Sequence, residues 1–184
     1  MTLHHVIIAL LGYFAGCLNA GYYFVRIVHG KDLRLLGSGT AGARNAGRQY
    51  GRWTFSLVFF TDFAKGATLT ALALGSDLEL AAVAAVAVVV GHIWPIQLGF
   101  QGGKGIASAL GATLLLAPGL LLWIGISTAI WMLLGQGLTR AGIAGFWLAA
   151  LGAGLLQQPL PVITAAIFLA LLLTISHRKN LRRV

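Results

Sequence analysis

The residues best suited to chemistry lie in one stretch, GHIWPIQLGFQGGKGIAS, from Gly91 to Ser108. It holds His92, a Trp94-Pro95 break and the run Gly102-Gly103-Lys104-Gly105. Glycines let a backbone approach a ligand closely, and successive N–H groups in such a turn form a concave anion site. A helix starting near Gly105 would aim its unpaired N–H groups and its dipole at the same point. Lys104 adds a full positive charge. The stretch reads as a phosphate cradle at a membrane surface, although glycine–lysine pairs also make ordinary turns. The spacing of a Walker loop is absent.

A second cluster runs from His29 to Arg52. It carries Lys31, Arg34, Arg44, Arg48 and Arg52, with Ser38, Thr40 and Asn45 set between glycines. A solvated basic loop would need the charges alone. Hydroxyls and glycines interleaved with arginines, which bind phosphate bidentately, point to a second anion site. Asp62 and Lys65 are three residues apart in an apolar run, on one helix face, where they can pair. Ionisable groups inside a bilayer are costly and face the bundle interior. Asp62 reads as a structural partner, and Lys65 adds charge to the site if its helix tilts inward. His92 is either a packing residue or a catalyst. His177 and Asn180 sit in the tail HRKNLRRV, which either anchors to anionic lipid or serves the site. His4, His5 and His29 show no metal pattern and no Cys/His cluster is present, so neither zinc nor any other cofactor is expected. There is no G-x-S-x-G elbow, and the acidic residues are too few and scattered for a Ser-His-Asp triad. Acyl chemistry here would need a donor that is already activated.

The elements that position these residues are set by composition. Of 184 residues, 58% are hydrophobic and 9% charged, against about 25% charged in a soluble domain. This implies an all-α, polytopic integral membrane protein with one domain, residues 1–184. No cleavable signal peptide is expected, because the first apolar segment is long and ends in Arg26 without a small-residue site. The single cysteine, Cys17, permits no intrachain disulfide. The net charge of +9 does not indicate nucleic acid, since the basic residues are confined to short loops and a short tail.

Apolar runs predict spans at about Leu3–Val28, Trp53–Leu74, Leu78–Ile96, Ile106–Ala117, Leu120–Leu134, Gly142–Leu156 and Pro161–Ile175. Seven is the expected count, with five the alternative if the short pair from Ile106 to Leu134 does not cross. Twelve of the 13 Lys and Arg fall between Arg26 and Arg52, at Lys104, at Arg140 and after His177. With seven spans all four places share one side, which the positive-inside rule makes cytoplasmic. The N-terminus, Asp77 and Glu79 then lie outside, and the C-terminus inside.

Taken together, these stretches resemble the PlsY family of bacterial membrane acyltransferases. Its first motif, approximately G-S-G-N-x-G-A-T-N-x-x-R, reads GSGTAGARNAGR here, Gly37 to Arg48. Its second, G-H-x-F-P-x-x-x-x-F-K-G-G-K-G-V-A-T, reads GHIWPIQLGFQGGKGIAS. A lead-in K-D-x-R-x-L-G-S-G matches Lys31 to Gly39, D-x-x-K-G matches Asp62 to Gly66, and H-R-x-N-I-x-R-L is similar to the tail. The resemblance implies a seven-helix bundle in the bacterial cytoplasmic membrane that moves an acyl group from acyl-phosphate to glycerol 3-phosphate, with no obligate protein partner. It implies catalytic roles at Ser38, His92, Lys104 and His177. It implies substrate binding at Lys31, Arg34, Gly39, Asn45, Arg48, Gly102, Gly103, Gly105 and Asn180.

The chain departs from the pattern at Thr40, Ala41, Arg44 and Gln101. A third, Ser-Leu-x-Ser motif is represented only by Gly137-Leu138-Thr139-Arg140. Arginines gained at Arg44 and Arg140 would rebuild an anion site with different geometry. In the implied reaction the acceptor hydroxyl attacks a mixed anhydride directly, so the protein neutralises and aligns two anions. His92, His177 or the donor's own phosphate oxygen would take the proton. The alternatives are a paralogue acylating another acceptor, and a transporter or binding protein for organic anions on the same bundle.

Overall fold

The computed structural model describes residues 2–181, apart from the side chains at positions 179 and 180, and every regular element among them is helical. The α-helices are α1 Leu3–Cys17, α2 Ala20–His29, α3 Ala43–Tyr50, α4 Arg52–Leu74, α5 Leu78–Ile93, α6 Ile106–Leu116, α7 Gly119–Leu133, α8 Leu138–Leu155 and α9 Leu160–Leu181. Five helical stretches are long and apolar enough to cross a membrane: Leu3–His29, Arg52–Leu74, Leu78–Leu98, Leu138–Leu155 and Leu160–Arg178. Helices α6 and α7 are apolar but shorter, at 11 and 15 residues. At 1.5 Å per residue they reach about 16 and 22 Å, against a hydrocarbon core of ~30 Å.

The first apolar run is not one uninterrupted helix. It breaks at Leu18 and Asn19, where Asn19 is extended and fully buried. The run still reads as one span in hydropathy, because a single amide barely changes the average. Gly30 ends α2 in the left-handed conformation, and the Asp77 side chain accepts a hydrogen bond from the Glu79 N–H at the start of α5.

Hydrophobic burial drives little helix association inside a lipid phase, so close packing has to do it. Two crossings show this. Helices α1 and α5 meet through Gly16, set against the Val88 carbonyl, and Gly91, set against the Tyr13 carbonyl. Helices α4 and α6 repeat the arrangement through Gly66 against the Ser108 carbonyl and Gly111 against that of Phe63. In all four places a Cβ would overlap the partner's backbone. A larger apolar core of Val88, Ile93, Leu120, Ile124, Phe146, Val162, Leu169 and Leu173 joins α5 through α9.

The bundle has two chemically different ends. At one, His5 lies 3.3 Å from Glu79, which puts the start of α1 beside the start of α5. At the other, the Ala41 N–H donates to the Gly102 carbonyl, Ser176 Oγ to the Lys104 carbonyl, and Arg44 to Thr139 Oγ1. The four basic places of the sequence are thereby gathered at one end. Gly91→Ala should lower the unfolding temperature of the purified protein, because its methyl group meets rigid backbone and overpacking costs about 1–3 kcal/mol. Gly125→Ala, whose Cβ meets nothing within 4 Å, should leave it unchanged or raised. Equal melting of the two variants would count against the glycine-packed crossing.

Candidate active site

The Gly-rich turn is held from three sides. Pro95 follows Trp94, which ends α5, and the chain doubles back so that Gly102 N–H donates to the Ile93 carbonyl and Gly103 N–H to that of His92. The Gly103 N–H also donates to Asn19 Oδ1 at 2.9 Å, while Asn19 Nδ2 donates to the Cys17 carbonyl. The Ser176 hydroxyl donates to the Lys104 carbonyl at 3.0 Å, fixing the turn to α9. Gly105 is left-handed at φ +87° and caps α6, which begins at Ile106 as the motif implied. The first N–H groups of α6 have no intrahelical acceptors.

This geometry changes the reading of two glycines. The N–H groups of Gly102 and Gly103, expected to face a phosphate, are taken up within the chain. A Cβ at Gly103 would overlap the His92 imidazole, and one at Gly102 would overlap the His92 carbonyl and the Pro95 ring. Both glycines are accounted for by packing against the end of α5. Lys104 follows these two glycines, and Gly105 then starts α6.

His92 is buried, with Nδ1 2.9 Å from Lys65 Nζ and 3.5 Å from Asp62 Oδ1, and with Gly103 covering Nε2. Asp62 and Lys65 pair at 2.9 Å, as their spacing implied. Lys65 also donates to the carbonyls of Gly16 and Leu18. His92 thus supports the turn from beneath, with Nδ1 engaged by Lys65.

The first motif forms a loop built around Asn45. Its Nδ2 donates to the carbonyls of Leu33, Leu36 and Thr40, and its Oδ1 accepts from Ser38 N–H, all within 2.9–3.0 Å. Both N–H groups and one Oδ1 lone pair of this buried amide are used within the chain, so Asn45 shapes the loop. The product of that shaping is Ser38. It is exposed between left-handed Gly37 and Gly39, at φ +54° and +72°, with its hydroxyl 3.2 Å from that of Thr40. Gly39 therefore serves the turn itself.

Arg34 is likewise committed elsewhere. It forms a fork on Asp32, with its shortest bond 2.7 Å, donates to the Leu98 carbonyl at 2.6 Å, and lies 4.9 Å over the Tyr22 ring. Hydrogen bonds from Arg34 hold the Asp32 carboxyl below its ordinary range, and the carboxylate in turn raises the guanidinium. The clamp's contribution is present above the ordinary carboxylate pKa and fades only as pH falls through the lowered value. Arg34 ties the first loop to the approach of the Gly-rich turn.

His177 and Lys104 come together across the ends of α9 and α6. His177 is buried with Nδ1 2.8 Å from the Leu173 carbonyl, which requires the proton on Nδ1 and leaves Nε2 with the lone pair. The bond from Ser176, its neighbour in the chain, to the Lys104 carbonyl sets the turn beside this part of α9. Arg44, which departs from the family pattern, donates to Thr139 Oγ1 at the start of α8 at 2.8 Å. Arg48 is exposed and lines a groove with Arg44 and Arg52. Lys31 stands exposed at the start of the first loop. The Asn180 side chain lies outside the described residues.

Sequence reading missed Asn19 and Ser176, which hold the turn from α1–α2 and from α9. The available signal for Asn19 was one amide inside an otherwise apolar run. Among the described residues no group of His, Cys, Asp and Glu could hold a metal.

Comparison with known proteins gives one answer. The model of the glycerol-3-phosphate acyltransferase family matches residues 6–184. Glycerol-3-phosphate acyltransferase 1 of Desulfitobacterium hafniense is 36% identical over 94% of this chain and 86% of its own length. The glycerol-3-phosphate acyltransferase of a Synechococcus species is 40% identical over 96% and 87%. The crystal structure of PlsY, an integral membrane glycerol 3-phosphate acyltransferase, in its glycerol 3-phosphate form superimposes with a TM-score of 0.89 at 31% identity, covering 97% of this chain and 90% of that one. Its lysophosphatidic acid form gives 0.86 at 29%, with the same coverage. This chain belongs to the glycerol-3-phosphate acyltransferase family.

Proposed function

We propose that this protein moves a fatty acyl group from acyl-phosphate to a hydroxyl of glycerol 3-phosphate, giving 1-acyl-glycerol 3-phosphate and phosphate. The observation that carries the reading is the assembly at one end of the bundle of Lys104 and the start of α6, tied to α9 next to His177, with the first loop that carries Arg44 and exposed Ser38, tied to Gly102. These are cations and hydrogen-bond donors with no enzyme nucleophile among them. Such a set suits a donor whose leaving group is already good. The family membership and the glycerol 3-phosphate and lysophosphatidic acid forms of the solved relative support the acceptor and the product class.

In this mechanism Lys104 and the N–H groups of α6 bind the donor phosphate. Arg48, with Lys31, holds the acceptor phosphate, and Ser38 hydrogen-bonds a substrate. The acceptor oxygen attacks the acyl carbonyl carbon. The bond from that carbon to the phosphate oxygen breaks, and the phosphate leaves with the electron pair. The hydroxyl proton passes to His177 Nε2 or to a phosphate oxygen. Charge stabilisation at fixed donors supplies most of the rate gain.

The bundle crosses the bacterial cytoplasmic membrane seven times in this reading, with the N-terminus outside and the C-terminus inside. The basic end of the bundle supports the orientation through the positive-inside rule. A re-entrant α6–α7 pair would leave five spans and the same orientation, because removing two crossings preserves parity. The α7–α8 connection touches Arg44 in either case.

Purified protein given acyl-phosphate and glycerol 3-phosphate should release phosphate, and acyl-CoA should not replace the donor. Equal turnover with acyl-CoA would overturn the donor assignment. Lys104→Ala should slow turnover at limiting donor roughly 10- to 150-fold, since a charged hydrogen bond is worth ~1.5–3 kcal/mol and each 1.36 kcal/mol is tenfold. Near wild-type turnover would remove the lysine from the site. For topology, a cysteine placed at Asp77 in a Cys17→Ala background should react with an impermeant maleimide on intact cells. Reaction only after permeabilisation would reverse the orientation.

A further inference from the structure

The end of the bundle opposite Lys104 carries a groove that the proposed reaction does not use. Helices α1 and α9 both pack on α5, and a groove of about 630 Å³ runs between them. Ala9 of α1, Val83 and Val86 of α5, and Leu160 and Phe168 of α9 are among its walls. Only two lining residues are polar, Glu79 and Thr164. The Thr164 hydroxyl is spent on the carbonyls of Leu160 and Pro161. Glu79 stands in the first turn of α5, at the rim. The interior therefore has no polar group to satisfy and suits an apolar occupant.

Size and charge narrow the occupant. The groove follows α5 from Glu79 to Ala87 and α9 from Leu160 to Phe168, which is about 12 Å at 1.5 Å per residue. Its volume of about 630 Å³ over that length leaves a cross-section of roughly 50 Å². A helix is about 10–12 Å across and needs roughly 80–110 Å². A helix of a second copy would lie over the groove and not in it, whereas a single hydrocarbon chain enters. The mouth says what that chain is attached to. The Glu79 side chain is 63% exposed and its ion-pair partner among the described residues is His5. Asp77 lies two residues before it. Every described lysine and arginine sits at the basic end or, like Lys65, inside the bundle. An anionic headgroup would meet two carboxylates here and neither a lysine nor an arginine. A headgroup with an ammonium group can donate to Glu79 while its chain follows the groove.

We propose that the groove between α1 and α9 is a lipid site at the acidic end of the bundle, holding one acyl chain of a phospholipid whose headgroup carries a primary ammonium group, with Glu79 accepting from that ammonium. The lipid is part of the frame and not a reactant. It wedges between two helices that share α5 as their support, at the end where α1 carries no break. The site is independent of the acyl-transfer reading, because every residue it uses lies at the end away from Lys104.

The test uses the full chain in phosphatidylcholine nanodiscs and a phosphatidylethanolamine with a diazirine on one acyl chain. Photolysis should label residues 79–87 and 160–168, and unlabelled phosphatidylethanolamine should compete about threefold better than phosphatidylglycerol. Glu79→Gln should cut the labelling about threefold, the size expected for a largely exposed ion pair, while Glu79→Asp keeps most of it. Val83→Phe, which puts a ring into the groove, should remove most of it. Neither position takes part in the proposed chemistry, so both variants should keep turnover within about twofold. That retained turnover shows that Val83→Phe is folded; if it is lost, Glu79→Gln alone decides. Labelling spread evenly over the lipid-facing helices would overturn the proposal, as would unchanged labelling in Glu79→Gln or equal competition by phosphatidylglycerol. A disulfide-linked dimer formed by Thr164→Cys in a Cys17→Ala background would make the groove an interface between copies and also overturn it. If the wild-type protein is labelled in the groove but transfers no acyl group, the acyl-transfer reading fails and the lipid site stands.

Discussion

A buried ammonium group holds the working end of this protein together. Lys65 Nζ lies within 2.8–3.0 Å of the Asp62 carboxylate, the His92 ring and the carbonyls of Gly16 and Leu18. A cation at this depth must be fully surrounded by acceptors, because water is scarce and an unpaired charge is costly. The acceptors come from α1, α4 and α5, so satisfying one charge fixes the relative height of three helices. The two carbonyls are those left over where α1 ends, and a cation at a helix C-terminus is favourable. Removing one partner from a buried pair typically costs about 3–5 kcal/mol. The functional turn inherits its position from this arrangement, since Gly103 rests on the ring of His92 and bonds to its carbonyl.

Glycine acts here mainly through the absence of a side chain. At the α1–α5 and α4–α6 crossings it lets backbones touch, and in the turn it lets the chain lie flat on the end of α5. A glycine-rich motif invites the idea that every N–H faces the ligand. In this fold the N–H groups of Gly102 and Gly103 serve as anchors. The positive face of the turn comes from what the anchored backbone presents: the Lys104 side chain and the first turn of α6.

Charge is distributed with the same economy. Asp62 pairs inside the bundle, Asp77 and Glu79 lie at its far end, and Asp32 at the basic end is held by Arg34. The end carrying Lys104, Arg44, Arg48 and Arg52 is therefore strongly positive. Arg44 and Thr139, separated by 95 positions, show how distant segments are joined at this end: a guanidinium new to the first motif bonds a hydroxyl at the start of α8.

The sequence alone determined the membrane-embedded helical class, the reactive stretches and the common end of the basic residues. Each of these follows from composition or from local spacing. Hydropathy marks apolar runs, Asp62 and Lys65 face the same side of one helix, and Gly105 precedes a run that can only be helical. Which residues face a substrate and which hold the frame was not legible. Arg34, Asn45 and His92 have the types expected of ligands, yet Asp32, four backbone groups of the first loop and Lys65 respectively occupy them. Asn19 looked like an interruption in an apolar run and proved to anchor the turn. A polar side chain has a fixed number of donors and acceptors, and folding decides whether the chain itself or a ligand will use them. That decision depends on groups brought together from distant positions, so only the tertiary structure could make it.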